Sequence, residues 1–359
     1  MIAWTVLSIL TLLPLYFADK VSPEGHKEVF KCNLNFIAMD EAQKAVRLGC
    51  RQMELAPPTS PFPASFPEPE LFDLTNIGLF TWPVFSYKNI LREDHGQNRV
   101  VFDSSCRLVG LIHTKSSGNE PCLHLMEVAD QRKSHEIRIY GTQLNEIPLY
   151  GYRFQQEVYV KTAVEEFVRS NYHHFYLNKN NQEIFDLYPS ALMNSNHNIW
   201  TRSILLGSKG IQSSRTKKNR RLIINSRNDI IGICRKLEKV WKPLAELRKL
   251  DDVYRSNIVL KRRPEVGFKK LHSMIHNGIQ LPVSMLRSHL IMACNVLLQK
   301  YQGLDLNLGY PIQTNVEAIQ DQPVFTWPLR MPENFVHEER DIRLVLDQRC
   351  NLLGVTSKI

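Results

Sequence analysis

The strongest constraint on this chain is a twelve-residue pattern that occurs three times. Its copies begin at Arg99, Arg221 and Arg343, so that 122 residues separate each copy from the next. Each copy has arginine, three β-forming residues, Asp or Asn, a polar turn, two apolar residues and glycine. This order predicts two short strands joined by a turn. Because self-similarity at a fixed period indicates repeated structural units, we expect three copies of one unit.

Other landmarks recur in the same order before each of these hairpins. The tetrapeptide Phe-Thr-Trp-Pro occupies residues 80–83 and 325–328, and Ile199-Trp200 stands in the corresponding place of the second copy. An aromatic residue followed by proline occurs upstream at Phe62-Pro63, Tyr188-Pro189 and Tyr310-Pro311. Apolar residues at helical spacing come first in every copy: Ala42, Ala45, Val46, Gly49, Cys50 and Met53; Val160, Val164, Phe167 and Val168; Leu286, Leu290, Cys294 and Leu297. One unit is therefore a helix, an aromatic-proline loop and several strands, which is an α+β order.

The composition is that of a globular chain. Apolar residues make up 43% and charged residues 23% of the 359 residues, which argues against a disordered, collagen-like or multi-span membrane protein. We predict a signal segment at 1–18 and units at 19–126, 150–236 and 254–359, each long enough for its own core. Lys plus Arg (45) exceed Asp plus Glu (36), a balance that suits an anionic partner such as RNA or a membrane surface.

The first residues predict export. Residues 2–17 form an uncharged apolar run of 16, which is shorter than the roughly 20 residues of a bilayer span. Ala18 is a small residue at the polar boundary, so we interpret residues 1–18 as a signal peptide. No cation precedes the run and Tyr16 is unusual near a cleavage site, so an uncleaved anchor and a buried first helix are alternatives. Export would place the cysteines where disulfides persist.

Four cysteines form two pairs with equal spacing. Cys50 in the first helix and Cys106 in the first hairpin turn are 56 residues apart, as are Cys294 and Cys350 in the third copy. The second copy has neither cysteine. A pair that is present twice and absent once predicts a disulfide from helix to turn, worth about 4 kcal/mol of stability. Four buried free thiols are the alternative.

The remaining three cysteines cannot all pair, because the chain has seven in total. Cys32 and Cys122 lie near the two ends of the first unit and could close it with a further disulfide. Cys234, in the second copy of the pattern, is then the odd cysteine.

Several segments of the first copy carry a family resemblance. Trp82-Pro83, residues 98–102 and residues 110–119, ending at Cys122, resemble the second half of the fungal guanyl-specific extracellular ribonucleases. Residues 62–73 are similar to that family's Tyr-Pro-His loop and its continuation. The resemblance covers most of the first copy, but only the hairpin and the aromatic landmarks of the other two. It implies a tandem repeat of a ribonuclease-like unit, in which one helix packs on a twisted antiparallel sheet with the active site on the concave face.

The catalytic groups of that family are missing here. RNA cleavage needs a base, an acid and cations around the phosphorane. The resemblance places Thr81 at the family's glutamate position and Ala64, after Phe62-Pro63, at its first histidine position. The other copies hold Ile199 and Thr326 at the glutamate position, and Ser190 and Ile312 at the histidine position. Because each missing acid or base costs roughly two to four powers of ten in rate, we predict a catalytically inactive pseudoenzyme.

The last histidine of the family has two possible matches. Counting from Gly110 puts Thr114 in its place, with Lys236 and Lys358 in the other copies. Alignment on His-Thr-x-x-Ser-Gly-Asn makes His113 the match, with one residue deleted. A shift of one residue reverses the face of a strand, so His113 would need a bulge to reach the old site.

Of the catalytic groups that the resemblance implies, only the arginine is present in all three copies. Arg99, Arg221 and Arg343 could clamp a phosphate through two hydrogen bonds, or could instead bind loop carbonyls or a buried acid. Residues 215–221 add a cluster of cations: Arg215, Lys217, Lys218, Arg220 and Arg221. This cluster could hold RNA phosphates or could be a solvated loop.

Cys32 follows Phe30-Lys31 in a short aromatic-x-Cys motif. With the signal segment and the eroded catalytic site, this motif makes the chain similar to the ribonuclease-like secreted effectors of powdery-mildew fungi. The resemblance implies a secreted virulence protein, delivered to plant host cells, whose partner is a host protein or host RNA. We expect a monomer with no small-molecule cofactor, no metal and no stable membrane span. The alternatives are an active guanyl-preferring ribonuclease, rebuilt from His113 and Glu68 or Glu70, and an extracellular structural protein with no nucleic-acid role.

Overall fold

The computed structural model describes residues 26–75, 77–84, 96–129, 138–171, 199–207, 210–213, 219–225, 229–238, 240–251, 253–254, 271–301, 309–314, 323–333, 335 and 341–357. The predicted signal segment 1–18, Tyr188-Pro189, Lys217 and Lys218 lie outside the described residues. The described part mixes helices with antiparallel sheets, in agreement with the predicted α+β class.

The first segment, residues 26–128, begins with a hairpin that leads directly into a helix. Its elements are β1 (His26–Cys32), β2 (Asn35–Ala38), α1 (Met39–Leu55), β3 (Ala64–Phe66), a 3-10 helix (Pro69–Phe72), β4 (Leu79–Pro83), β5 (Asn98–Asp103), β6 (Leu108–Lys115), β7 (Gly118–Pro121) and β8 (Leu123–Val128). Strands β3 to β7 form one sheet in chain order, whereas β8 pairs with β1. The apolar stripe of α1 is buried, and a Cβ on Gly49 would lie 2.7 Å from Trp82 Cβ. Glycine there lets the helix approach β4 closely.

The second segment, residues 138–254, contains a hairpin, a helix and a five-stranded sheet in the same order. Its elements are β9 (Arg138–Ile139), β10 (Thr142–Gln143), a 3-10 helix (Leu144–Glu146), β11 (Leu149–Phe154), β12 (Glu157–Val160), α2 (Lys161–Ser170), β13 (Ile199–Gly207), β14 (Gly210–Ser213), β15 (Arg220–Asn225), β16 (Ile230–Leu237), β17 (Val240–Pro243) and β18 (Ala245–Lys249). The sheet has the order β14-β13-β15-β16-β17. Val164, Phe167 and Val168 of α2 are buried in the core of this segment, as their spacing predicts.

The third segment, residues 271–357, again places a hairpin before a helix and a sheet. Its elements are β19 (Met274–His276), β20 (Ile279–Leu281), α3 (Val283–Tyr301), β21 (Ile312–Thr314), β22 (Val324–Pro328), β23 (Ile342–Asp347) and β24 (Leu352–Ser357). Strands β21 to β24 form one sheet in chain order. Helix α3 carries apolar residues on most of its sides, because it packs against both its own sheet and the first segment.

The hairpins predicted from the repeated pattern are present as β5–β6, β15–β16 and β23–β24. Each has a register shift at the same place, between Val101 and Phe102, Ile223 and Ile224, and Val345 and Leu346. The turn explains the Asp in the pattern. Asp103 accepts the backbone amides two and four residues later, at 2.9 and 3.0 Å, and Asp347 does so at 2.8 Å in both cases. Asp and Asn are suited to turns because their side chains bind such amides.

Two sets of contacts join the segments. Strand β8 pairs with β18 as well as with β1, so one sheet with the order β12-β11-β18-β8-β1-β2 spans the first and second segments. Helix α3 lies against the first segment, where Ser288 Oγ accepts the amide of Gly78 at 3.0 Å. The ring of His289 lies edge-on to Phe80, with 4.9 Å between the centroids. One apolar cluster therefore contains residues of the first and third segments.

Candidate functional site

The strand register sorts the predicted site residues of the first segment onto the two faces of its sheet. Thr81 pairs with Ala64, and its partner in β5 lies two residues after Arg99. The partner of Arg99 in β6 lies two residues before Thr114. Because side chains alternate along a strand, Ala64, Thr81, Arg99 and Thr114 share one face. We call these four residues the arginine face.

His113 lies on the opposite face of the sheet. It pairs with Asn98, and its Nδ1 atom is 2.8 Å from Asn98 Oδ1. The register shift of this hairpin lies at Val101 and Phe102, beyond Arg99, so it does not turn His113 toward the arginine face. His113 therefore does not share a face with Arg99, whereas Thr114 does.

The second segment corrects one predicted position. Thr201 pairs with the residue two positions after Arg221, just as Thr81 and Thr326 pair with the residues two positions after Arg99 and Arg343. Ile199 lies two residues too early to occupy the glutamate position that the sequence comparison gave it. That comparison aligned the tryptophans, whereas backbone pairing aligns the threonines. Threonine therefore stands at this position in all three hairpin sheets.

Apolar side chains fill the space in front of the arginine face. A buried cluster there contains Phe66, Phe72, Leu74, Leu79, Val101, Val109 and Ile112. A Cβ on Gly110 would lie 2.4 Å from the Phe72 ring, so this glycine gives the ring its place on the sheet. The hydroxyl of Thr81 is buried and donates to the carbonyl of Ala64 at 3.4 Å. Neither residue can transfer a proton near neutral pH.

The guanidinium of Arg99 is buried, and all three of its nitrogen atoms donate hydrogen bonds. Its Nη2 and Nε atoms donate to the two carboxylate oxygens of Glu333, at 2.8 and 3.2 Å. Its Nη1 atom donates to the carbonyls of Gly96 and Asn98, at 2.6 and 3.3 Å. The ring of Phe62 lies 4.9 Å from the guanidinium carbon. Both partners anticipated by the alternative to phosphate binding, loop carbonyls and an acid, are therefore present.

Glu333 reaches Arg99 because residues 329–333 of the third segment lie along β3. The amide of Ser65 donates to the carbonyl of Met331 at 3.1 Å, and its hydroxyl donates to the carbonyl of Arg330. The buried Arg330 side chain donates to the carbonyls of Met53, Ala56 and Pro57 at the end of α1, at 2.8 to 3.0 Å. Burial lowers the pKa of Arg330 to about 10, so it stays a cation at neutral pH and suits the negative end of a helix.

The other predicted anion-binding arginines have different partners. Arg343 donates to both carboxylate oxygens of Asp341 at 2.7 and 2.8 Å, with Tyr310 5.8 Å from its guanidinium carbon. Arg221 is half-buried, and its guanidinium carbon lies 4.9 Å from the Trp241 ring. Two of the three repeated arginines are thus held by a carboxylate through two hydrogen bonds.

Glu68 belongs to a polar chain near the arginine face. Its carboxylate accepts a hydrogen bond from Asn119 Nδ2 at 2.9 Å, and Asn119 Oδ1 accepts one from the Thr114 hydroxyl at 3.1 Å. Glu70 is exposed in the 3-10 helix. Glu68, one of the two acids that the ribonuclease alternative offers, is thus linked to the arginine face through Asn119, but the residue it reaches there is a threonine.

Two predicted disulfides are formed and one is not. Cys32 is bonded to Cys122, and Cys50 in α1 is bonded to Cys106 in the hairpin turn. Cys294 and Cys350, which correspond to Cys50 and Cys106, are free thiols, so the disulfide predicted for them is absent. They hydrogen-bond instead, which raises the pKa of Cys294 and lowers that of Cys350.

The odd cysteine, Cys234, is buried as a free thiol. Burial raises its pKa to about 12, so the thiol stays protonated and unreactive at neutral pH. Across the described ranges, no three His, Cys, Asp or Glu side chains cluster so that they could hold a metal ion. No helix in the described part is long and apolar enough to cross a membrane.

No family model, no curated protein and no solved structure matches this chain. The ribonuclease resemblance therefore depends on the residues and motifs of the sequence itself.

Proposed function

We propose that this chain is a secreted ribonuclease-like protein of three tandem units that binds a host protein or host RNA without cleaving RNA. The threefold order of hairpin, helix and sheet supports the repeat, as do the register shifts after Val101, Ile223 and Val345. The disulfides Cys32–Cys122 and Cys50–Cys106 suit an oxidising compartment. The signal segment 1–18 and delivery into host cells are parts of this proposal.

One observation carries the non-catalytic part of the proposal. Arg99, the cation expected beside a reacting phosphate, is buried in an ion pair with Glu333. Thr81 and Ala64 stand where a base and an acid would be needed, and apolar side chains occupy the space in front of them. In-line attack by the 2′-hydroxyl needs a base beside the attacking oxygen and an acid beside the leaving oxygen, so this arrangement supports binding over turnover.

A second candidate, a working ribonuclease, is favoured by one feature. Glu333 brings a carboxylate, which could act as a base, to the repeated arginine. Both oxygens of that carboxylate already accept hydrogen bonds from Arg99, and His113 lies on the other face of the sheet. Among the described residues, this candidate therefore lacks the acid that His113 was expected to supply to the leaving oxygen.

The test is incubation of the purified full chain with a guanosine-containing RNA, followed by separation of cyclic-phosphate products. We expect no product above the rate without protein. Turnover that disappears in Glu333→Gln but persists in His113→Asn would overturn the non-catalytic proposal and establish the second candidate. A change at His113 is a matched control, because this residue lies outside the arginine face.

A further inference from the structure

Three cations form a row across the second segment. In the register of β15, β16 and β17, Arg220 pairs with Arg235, and Arg235 pairs with Lys242. Cross-strand partners point to the same face of a sheet, so the three side chains lie next to one another. We call Arg220, Arg235 and Lys242 the cation row. It lies on the face opposite Arg221, the arginine that matches the nuclease position, because Arg220 and Arg221 are adjacent in β15.

The same row is not cationic elsewhere in the molecule. The positions that correspond in the first segment are Asn98, His113 and Glu120, which pair in the same manner. In the third segment the first two positions of the row are Ile342 and Ser357. The scaffold therefore does not require cations at these positions.

Like charges directly opposite each other destabilise a sheet, so the row needs an offsetting contact. The ring of Phe154, at the end of β11, lies 3.8 Å from the guanidinium carbon of Arg235 and 5.5 Å from that of Arg220. Glu157 forms an ion pair with Arg220. Among the residues that the structure describes, neither Arg235 nor Lys242 has a carboxylate partner. Lys242 is exposed and Arg235 is half-buried.

We propose that the cation row binds the phosphates of single-stranded RNA. Neighbouring strands lie about 4.8 Å apart, so the row presents positive charges at short, regular intervals, as a polyanionic backbone requires. The guanidinium of Arg235 rests on the Phe154 ring and has donors left for phosphate oxygens, whereas Arg220 donates to Glu157 and to the Tyr159 hydroxyl and adds its charge at one end of the row. This inference rests on the proposed function, since it assigns the RNA partner to one surface. The proposed RNA-binding surface is thus the cation row and not the arginine face.

The test measures binding of a fluorescent uridine oligonucleotide of about 20 residues to the full chain by anisotropy, over a range of salt concentrations. Arg235→Glu/Lys242→Glu should weaken binding at least about tenfold and lower the salt slope by about two. Lys44→Glu/Arg47→Glu makes the same change in net charge at exposed positions of α1, and should stay within about twofold of the unchanged chain. If the reversal lowers the melting temperature, Arg235→Gln/Lys242→Gln replaces it.

Three results would overturn the inference. The first is equal weakening by both double variants, which would mean that only net charge matters. The second is no binding of the oligonucleotide by the unchanged chain. The third is displacement of the RNA by a glutamate oligomer of equal affinity, which would assign the row to an acidic protein. None of them touches the non-catalytic proposal, which the cyclic-phosphate assay decides separately.

Discussion

The first and second segments have similar backbones, but the arginine side chains of their hairpins have different partners. In the first segment the repeated Arg99 forms an ion pair with Glu333. The positions there that correspond to the cation row hold Asn98 and His113, which hydrogen-bond to each other. In the second segment the corresponding row holds Arg220 and Arg235, stacked on one ring. The comparison teaches that a repeated arginine is no guide to ligand binding by itself. Arg99 has both oxygens of a carboxylate as partners, whereas Arg235 of the cation row has no carboxylate partner among the described residues.

The two segments also secure the end of their first hairpin differently. The first segment has the disulfide Cys32–Cys122, and the matching positions of the second segment hold Phe154 and Leu244. Phe154 is thereby available to the cation row.

The largest effect is expected from removal of that disulfide. Cys32→Ala/Cys122→Ala should lower the free energy of unfolding by about 4 kcal/mol, because the bond closes a loop of 90 residues. Urea denaturation of the full chain measures the change. Leu244→Ala, in the matching place of the second segment, is the comparison variant and should cost about 2 to 3 kcal/mol. An unchanged midpoint without the disulfide would contradict the contrast between the segments.

A second effect, smaller for each pH unit, is expected from acidification, through the contacts that position Glu333. His289 Nδ1 donates to the carbonyl of Met285 at 3.0 Å, and its Nε2 accepts the amide of Arg330 at 2.8 Å. Complete burial lowers the pKa of His289 to about 3, whereas the unfolded chain has the ordinary value near 6.5.

The unfolded state therefore binds a proton that the folded state does not, between pH 6.5 and pH 3. The stability from neutral His289 is complete above about pH 6.5 and falls by about 1.4 kcal/mol for each pH unit below it. His289→Gln, whose amide can both donate and accept, should lose this part of the pH dependence. Denaturation at several pH values compares the two proteins. Parallel pH profiles would show that His289 is not held neutral.

The sequence predicted the local parts of this structure well. The hairpins after Arg99, Arg221 and Arg343 follow from alternating β-formers and an Asp or Asn turn, and the helices follow from apolar spacing. In the second segment the sequence comparison chose Ile199, two residues before Thr201, because it aligned Trp200 with the tryptophans of the other copies. The strand pairing instead puts Thr201 opposite the residue two positions after Arg221.

The ion pair between Arg99 and Glu333 could not be predicted from the sequence. Glu333 is 234 residues from Arg99, and neither it nor Arg330 belongs to the repeated pattern. Of the cation row, only Arg220 belongs to the basic cluster at residues 215–221, because Arg235 and Lys242 become its neighbours through strand pairing. The pairing of β8 with β18 likewise has no signal in the sequence.

The ion pair between Arg99 and Glu333 is the contact on which the contrast between the segments depends. A double-mutant cycle with Arg99→Ala, Glu333→Ala and the double variant measures it directly by urea denaturation. We predict a coupling free energy of about 1 to 3 kcal/mol, since the guanidinium is buried and the carboxylate is 32% exposed. A coupling free energy near zero would mean that Glu333 does not bind Arg99 in solution, and would contradict the proposed contrast between the segments.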